Sequence, residues 1–119
     1  MSFVFDVHDE TVWSPSSRVG RLYVDTAETL SRFGAVPSGL VAIASDMYEL
    51  DPITFPSFVR TLLDEQSIAH PIYTVLIEGF VLTSGVMMER GGIGDDAVAT
   101  VIARFPTRST EIGRAMPRL

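Results

Sequence analysis

Residues 51–90 read DPITFPSFVRTLLDEQSIAHPIYTVLIEGFVLTSGVMMER, and this stretch decides how the chain folds. It contains two helical patterns separated by His70-Pro71, because a proline disfavours helix at the residue before it. The second pattern is apolar on almost every side, and Glu78 is its only charged residue between Pro71 and Met88. The rest of the chain must therefore cover this helix or leave part of it to a partner.

The apolar helix predicted near 71–90 reaches the lower limit of a membrane span. The charge of Glu78 in mid-segment, with no flanking basic cluster or interfacial tryptophan, favours a core helix and no membrane contact. Gly79 and Thr83 are small residues four positions apart, which permits the close approach of another backbone. A helix this apolar is hard to cover on every side in a small domain, so we expect a homodimer. The residues predicted for its interface are Gly79, Phe80, Thr83 and Met87.

Around this helix, the patterns predict an α+β fold. Alternating apolar residues predict antiparallel strands, and spacings of three or four predict helices. Residues 40–50 fit both periods, and we favour a strand because turn residues flank them. If they were helical, the fold would be a mainly α bundle with a short N-terminal β-hairpin. The expected sheet has three strands near 3–7, 11–13 and 41–49, packed on helices near 17–33, 55–68 and 71–90.

The boundaries of the domain follow from proline and glycine positions. Thr54 is the predicted N-cap of the first helix in the opening stretch, because Pro56 then falls in the first turn, where a missing N–H costs little. Residues 1–92 form the predicted α+β domain. Residues 93–119 are expected to add a short helix and an Arg-rich tail, which from residue 107 onward frays or docks loosely because apolar periodicity is weak after Pro106.

The composition is that of a small acidic protein. Among 119 residues there is no cysteine, which excludes a disulfide framework, a Cys-based zinc site and a thiol nucleophile. Residues 1–96 have a charge balance of −9 and residues 97–119 of +3, which give the net charge of −6. Such a body repels nucleic acid and favours a basic protein partner. Because the N-terminus has no signal-peptide core, we expect a cytoplasmic protein.

Glu78 is the most distinctive candidate functional residue. A carboxylate on an apolar helix is paired, protonated or facing a gap in the core, so it can anchor a ligand in a pocket that Tyr73 and Tyr48 also line. The alternative is an ion pair or hydrogen bond with Arg60, Arg21 or Tyr73, or plain exposure to solvent.

Two acidic groups provide weaker candidates. Asp46, Glu49 and Asp51 are more typical of a solvated edge, or of a surface for a basic partner, than of a paired-carboxylate catalytic site. Asp6 and His8 are weak metal candidates, because no further group at a recognisable spacing completes a site. The chain has no catalytic triad, phosphate-binding loop or metalloprotease motif. We therefore expect no catalytic residue and no cofactor.

The order of several motifs resembles a family of small acidic actinobacterial (Streptomyces-type) proteins of unknown function. The resemblance covers about residues 3–92, and the tail after Gly92 lies outside it. It implies a bacterial cytoplasmic accessory protein and brings no catalytic residues. It rests on WSPS at Trp13–Ser16, on Tyr48–Asp51 before a Phe-rich helix, and on Glu78-Gly79-Phe80.

Three function hypotheses remain, and the acidic body and missing catalytic motifs favour the first. It is a non-enzymatic interaction module that binds a basic partner, in the manner of an immunity protein, an antitoxin or an accessory protein. The second is a small-molecule-binding protein or small enzyme, with a pocket beside the 71–90 helix. The third is a self-assembling structural protein that uses the same helix as a dimer seam.

Overall fold

The computed structural model describes residues 3–118, except for the side chains of Glu65 and Gln66. The fold is α+β, as the sequence predicts. The strands are β1 (Val4–Val7), β2 (Glu10–Trp13), β3 (Leu40–Ala44) and β4 (Met47–Leu50). The helices are α1 (Ser17–Gly34), α2 (Thr54–Leu62), α3 (Glu65–Ile68), α4 (Pro71–Arg90), α5 (Asp96–Ile102) and α6 (Pro106–Arg114).

The sheet is mixed and has four strands in the order β2-β1-β4-β3, where three antiparallel strands were predicted. β1 pairs antiparallel with β2 and parallel with β4, and β3 pairs antiparallel with β4. The single strand predicted near 41–49 was wrong, because Ser45 and Asp46 form a turn that divides this segment into a hairpin. Serine and aspartate favour turns, but without glycine or proline their signal is weak beside the apolar alternation.

Helix α1 confirms the prediction near 17–33 and packs on one face of the sheet. Its buried stripe is Gly20, Tyr23, Val24 and Ala27, at spacings of three and four. Gly20 allows the close approach, because a Cβ atom there would lie 2.3 Å from Cγ of Phe3. The Oγ atom of Ser16 accepts a hydrogen bond from the N–H of Val19 and caps the helix.

Helix α2 begins at Thr54, but its cap is Asp51. The Oδ1 atom of Asp51 accepts hydrogen bonds from the N–H groups of Thr54 at 2.7 Å and Ile53 at 3.0 Å. The prediction of a Thr54 cap was wrong, because the aspartate carboxylate reaches over two residues to the first turn. These two hydrogen bonds hold the pKa of Asp51 below its ordinary value. The helix predicted at 55–68 is interrupted after Leu62 and resumes as the short α3.

Helix α4 has the predicted bounds and is unevenly buried. Its second half is enclosed by the sheet, α5 and α6, whereas Ile72, Val75 and Leu76 in its first half are exposed by 60%, 68% and 77%. Among residues 3–118, α4 is the one helix that is long and apolar enough to cross a membrane. Of its most apolar 18-residue segment, 44% is buried inside the fold. The buried residues of its second half make α4 a core helix of the domain.

Arg90 attaches the C-terminal segment to the rest of the fold. Its guanidinium donates hydrogen bonds to the carbonyl oxygens of Met116 at 2.8 Å, Val12 at 2.9 Å and Gly113 at 3.0 Å. The prediction of a loosely docked tail was therefore wrong. The attachment depends on backbone acceptors, which apolar periodicity does not reveal.

Replacing Gly20 with alanine is expected to destabilise the fold by about 1–3 kcal/mol, because the new methyl group would overlap the Phe3 ring. Gly113→Ala is the matched control. A Cβ at Gly113 lies 4.0 Å from its nearest neighbour, so helix propensity should raise stability by up to about 1 kcal/mol. Urea unfolding of both variants measures this difference, and equal effects of one sign would contradict the packing described here.

Arg90→Lys keeps the positive charge but loses the planar fork of donors. We expect a loss of about 1–3 kcal/mol in unfolding free energy. We also expect faster tryptic cleavage within residues 104–118. Arg114→Lys, at an exposed position on α6, is the control and should change neither quantity. Unchanged cleavage of the Arg90 variant would show that the tail does not depend on this contact.

Asp51 should make stability depend on acid pH. Because its pKa is lower in the folded state than in the unfolded chain, its contribution is complete above about pH 4. That contribution is lost as the pH falls through the folded-state pKa. The melting temperature of the wild type should exceed that of Asp51→Asn at pH 7, and the difference should shrink as the pH falls below about 4. Asp25→Asn, on the exposed face of α1, is the control, and a difference independent of pH would refute the assignment.

Candidate protein-binding groove

An apolar groove of about 590 Å³ runs between α1, α4 and the segment that begins with α6. The rim is formed by α1 and the first half of α4, and the floor by aromatic residues of the core. The residues that line this apolar groove are Trp13, Val19, Leu22, Tyr23, Thr26, Val75, Leu76, Gly79, Phe80, Thr83, Arg108, Ile112, Ala115 and Met116.

The rim of the apolar groove is unusually exposed for residues of its type. Val19 and Leu22 of α1 are exposed by 46% and 66%, and Val75 and Leu76 of α4 by 68% and 77%. Single exposed apolar residues are ordinary, whereas a contiguous set around a concave surface is typical of an interaction site. The four side chains lie on two neighbouring helices and so form such a set.

The floor is a rigid aromatic layer. The ring of Tyr23 stacks on Phe80 at 4.8 Å and meets Trp13 edge-on at 5.4 Å. The Tyr23 hydroxyl lies 2.5 Å from Oγ of Ser84, and both side chains are buried. Burial raises the pKa of Tyr23, so its hydroxyl remains protonated at neutral pH. The groove therefore has a fixed, uncharged base.

Gly79 lies in this groove without a packing role inside the protomer. A Cβ atom built at Gly79 meets no atom within 4 Å, although glycine in a helix costs about 1 kcal/mol relative to alanine. Thr83, one turn later, lines the same groove, and Phe80 is 8% exposed at its floor. Three of the four predicted interface residues therefore meet at one surface. The prediction for Met87 was wrong, because its side chain is fully buried.

Glu78 lies next to the groove and forms an ion pair with Arg108 of α6. Its Oε1 atom is 3.7 Å from Nε of Arg108, and its side chain is 24% exposed. None of the predicted partners makes this contact, and Arg60 pairs with Asp95 at 2.8 Å. Glu78 also lines a cavity of about 100 Å³ between α4 and its neighbours, smaller than the roughly 300 Å³ of a small ligand site.

The tyrosines predicted beside Glu78 lie elsewhere. The Tyr73 hydroxyl donates a hydrogen bond to the carbonyl oxygen of Leu62 at 2.6 Å, and burial raises its pKa. Tyr48 lies on β4, where its ring stacks on Phe3 at 5.5 Å. The structure does not bring these three residues to one pocket.

The acidic residues predicted as one group have three different positions. Asp51 caps α2, and Asp46 lies in the turn before β4, where its carbonyl oxygen accepts a hydrogen bond from Val4. Glu49 lies on β4 beside Asp6 of β1, on the sheet face opposite the buried Phe5. Glu49 and Asp6 therefore share an acidic sheet surface. The carboxylates of Asp46 and Asp51 are not part of it.

The weak metal candidates are explained by local structure. The Oδ1 atom of Asp6 accepts a hydrogen bond from the Thr11 hydroxyl at 2.9 Å. His8 and Asp9 form an exposed turn with positive φ angles of 51° and 65°. Within residues 3–118, no group of three His, Cys, Asp or Glu side chains is placed to hold a metal ion.

The α1 half of the groove was missed by sequence reasoning. In the sequence, Val19 and Leu22 belong to the apolar residues that predict the helix near 17–33, and nothing in the apolar spacing alone separates them from its buried residues. A finer pattern was present: Gly20, Tyr23, Val24 and Ala27 already form a complete inward stripe. Val19 and Leu22 lie beside that stripe and not on it.

Comparison with known proteins gives a family but no function. No curated protein and no solved structure matches the chain significantly. The model of a family of unknown function, DUF6086, matches residues 1–118 and so includes the C-terminal segment that the sequence resemblance left out. The chain belongs to this family, DUF6086.

Proposed function

We propose that this protein is a non-enzymatic protein-interaction module that acts as a homodimer through the apolar groove. The observation that carries the proposal is the exposed apolar rim above a rigid aromatic floor. Arg108 is the single charged residue among those that line the groove, and it is paired with Glu78. The surface therefore favours an apolar occupant over a charged substrate.

A second copy of the chain is the occupant that this surface fits best. Leu76 projects into solvent from the rim of the groove. Beside it, the missing side chain of Gly79 leaves an open space on the same apolar surface. In a two-fold dimer the same patch meets itself, so Leu76 of each protomer can occupy the space over Gly79 of the other. A stable interface buries about 800 Å² per partner, roughly 12% of the 6813 Å² surface.

The acidic surface outside the groove supports a wider role. A net charge of −6 favours encounter with a basic protein and disfavours nucleic acid. We take the dimer to be a cytoplasmic accessory protein of an actinobacterium, with an immunity or antitoxin-like action as its most specific form. Co-purification from the native host, with identification of a stoichiometric basic partner, tests this extension.

A second candidate function is the binding of an apolar small molecule in the same groove. The volume of about 590 Å³ lies in the range of ligand sites, roughly 300–1,000 Å³. The floor also contains the buried Nε1 of Trp13, which has no hydrogen-bond partner among the described residues. A ligand bound there would quench or shift Trp13 fluorescence and would compete with dimerisation. A dimer whose mass is unaffected by an uncharged apolar dye such as Nile red would argue against this candidate.

Leu76→Asp should convert the dimer to a monomer without unfolding it. Burial of each Leu76 side chain contributes about 1.5–3 kcal/mol, and the dimer contains two, so the dissociation constant should rise by about 100-fold or more. Gly79→Leu should have the same effect by filling the gap, while the helix content is retained. Sedimentation equilibrium measures the mass, and circular dichroism monitors folding.

Ile53→Asp is the matched control for this experiment. Within residues 3–118, Ile53 is the most exposed large apolar residue, at 81%, and it does not line the groove. Its replacement should leave the dimer intact. A wild type that is monomeric at about 50 μM, or an equal effect of Ile53→Asp, would overturn the proposal.

A further inference from the structure

The outer edge of β3 is an unprotected sheet edge. In the described part of the chain, β3 has β4 on one side and no strand on the other. Its sequence LVAIA contains neither a charge nor a proline, the usual protections of an edge strand. Val41 and Ile43 are exposed by 49% and 56%, and Ala42 and Ala44 are also exposed.

The direction of the backbone groups of β3 follows from the hairpin. The N–H of Asp51 donates to the carbonyl oxygen of Gly39 at 2.8 Å, so these two residues occupy a hydrogen-bonded position. Antiparallel pairs alternate, which makes Val41–Glu49 the next hydrogen-bonded pair. The N–H and C=O of Ala42 then point away from β4, toward the open edge.

The open edge of β3 is less suited to pairing with β3 of a second copy than with a strand of a different chain. The register of β3 against β4 shifts between Ala42 and Ala44, which marks a bulge. A bulge bends the strand and prevents flat pairing of two identical strands along their whole length. The regular part, around Leu40 to Ala42, can instead receive a short extended segment of a different chain.

Charge indicates the chemistry of that segment. Glu49 lies directly opposite Val41, and Asp6 lies beside Glu49 on the next strand, so the sheet surface next to the edge is acidic. A strand added to β3 would lie two strand spacings, about 10 Å, from β4, the strand that contains Glu49. An arginine or lysine side chain on that strand can extend across Val41 toward Glu49.

We propose that the edge of β3 is a docking site for an extended basic segment of another protein, which adds as a fifth strand. Backbone hydrogen bonds to Ala42 provide binding, and a basic side chain directed toward Glu49 provides selection, with Asp6 adding to the negative charge of the same sheet surface. This edge lies at the opposite end of the sheet from β2, whose Trp13 lines the groove. The dimer contact and the docking edge are thus separate surfaces.

The test uses the full-length protein and two fluorescein-labelled octapeptides, RVRTRVRT and its acidic counterpart EVETEVET. The basic peptide should bind in the micromolar range and the acidic one should not. In the ¹⁵N-labelled wild type, the basic peptide should slow the solvent exchange of the Ala42 amide and shift resonances of residues 40–44. No binding up to about 1 mM, equal binding of both peptides, or shifts confined to the groove would overturn the proposal.

Two variants separate the contributions of the backbone hydrogen bonds and of the charge to the affinity for the basic peptide. Ala42→Pro removes the donor at the open edge and leaves the Val41–Glu49 pair in place, so affinity should fall about tenfold. Glu49→Gln should weaken the basic peptide about threefold, and added salt should weaken the wild type similarly. Ile53→Asp is the control and should bind normally. If Ala42→Pro does not fold, the amide exchange of the wild type decides the backbone contribution alone.

Discussion

The contact on which the rest of the structure depends is the aromatic column centred on Tyr23. Its ring lies between Phe5 of the sheet and Phe80 of α4, with centroid distances of 5.3 and 4.8 Å. The hydroxyl group is satisfied by Ser84 inside the core, so a large side chain is buried without an unpaired polar atom. This column fixes α1 and α4 against each other and against the sheet. The apolar groove is the outer side of that same contact.

The column also explains why α4 is covered only in part. Most residues from Phe80 onward are buried, because the sheet, α5 and α6 all contact the second half of the helix. The first half contacts α1, α2 and α3, but its side chains Ile72, Val75 and Leu76 stay largely in water. A chain of 13.0 kDa buries a smaller fraction of its surface than a larger protein does, and part of the 20-residue α4 stays uncovered. Association is the ordinary physical solution to this excess.

Sequence patterns predicted the parts of the fold that depend on periodicity and on strong terminal signals. The bounds of α4 were predictable because Pro71 opens the helix and Gly91 follows it, and the face of Gly79 and Thr83 followed from their spacing. The hairpin at 40–50 was not predictable, because its turn residues Ser45 and Asp46 are also compatible with a polar interruption in a continuous strand. The attachment of the tail through Arg90 was also hidden, since its partners are backbone carbonyls far away in sequence.

The absence of cysteine from the chain allows one direct test of the central claim, that Gly79 lies at the crossing of two α4 helices. A single Gly79→Cys substitution has room in the protomer, and a disulfide forms only where two Cα atoms come within about 7 Å. Under mild oxidation at low micromolar concentration, we expect rapid and nearly complete conversion to a covalent dimer. Ile53→Cys, also exposed but outside the groove, should remain mostly monomeric. Equal, slow crosslinking of both variants would contradict the account.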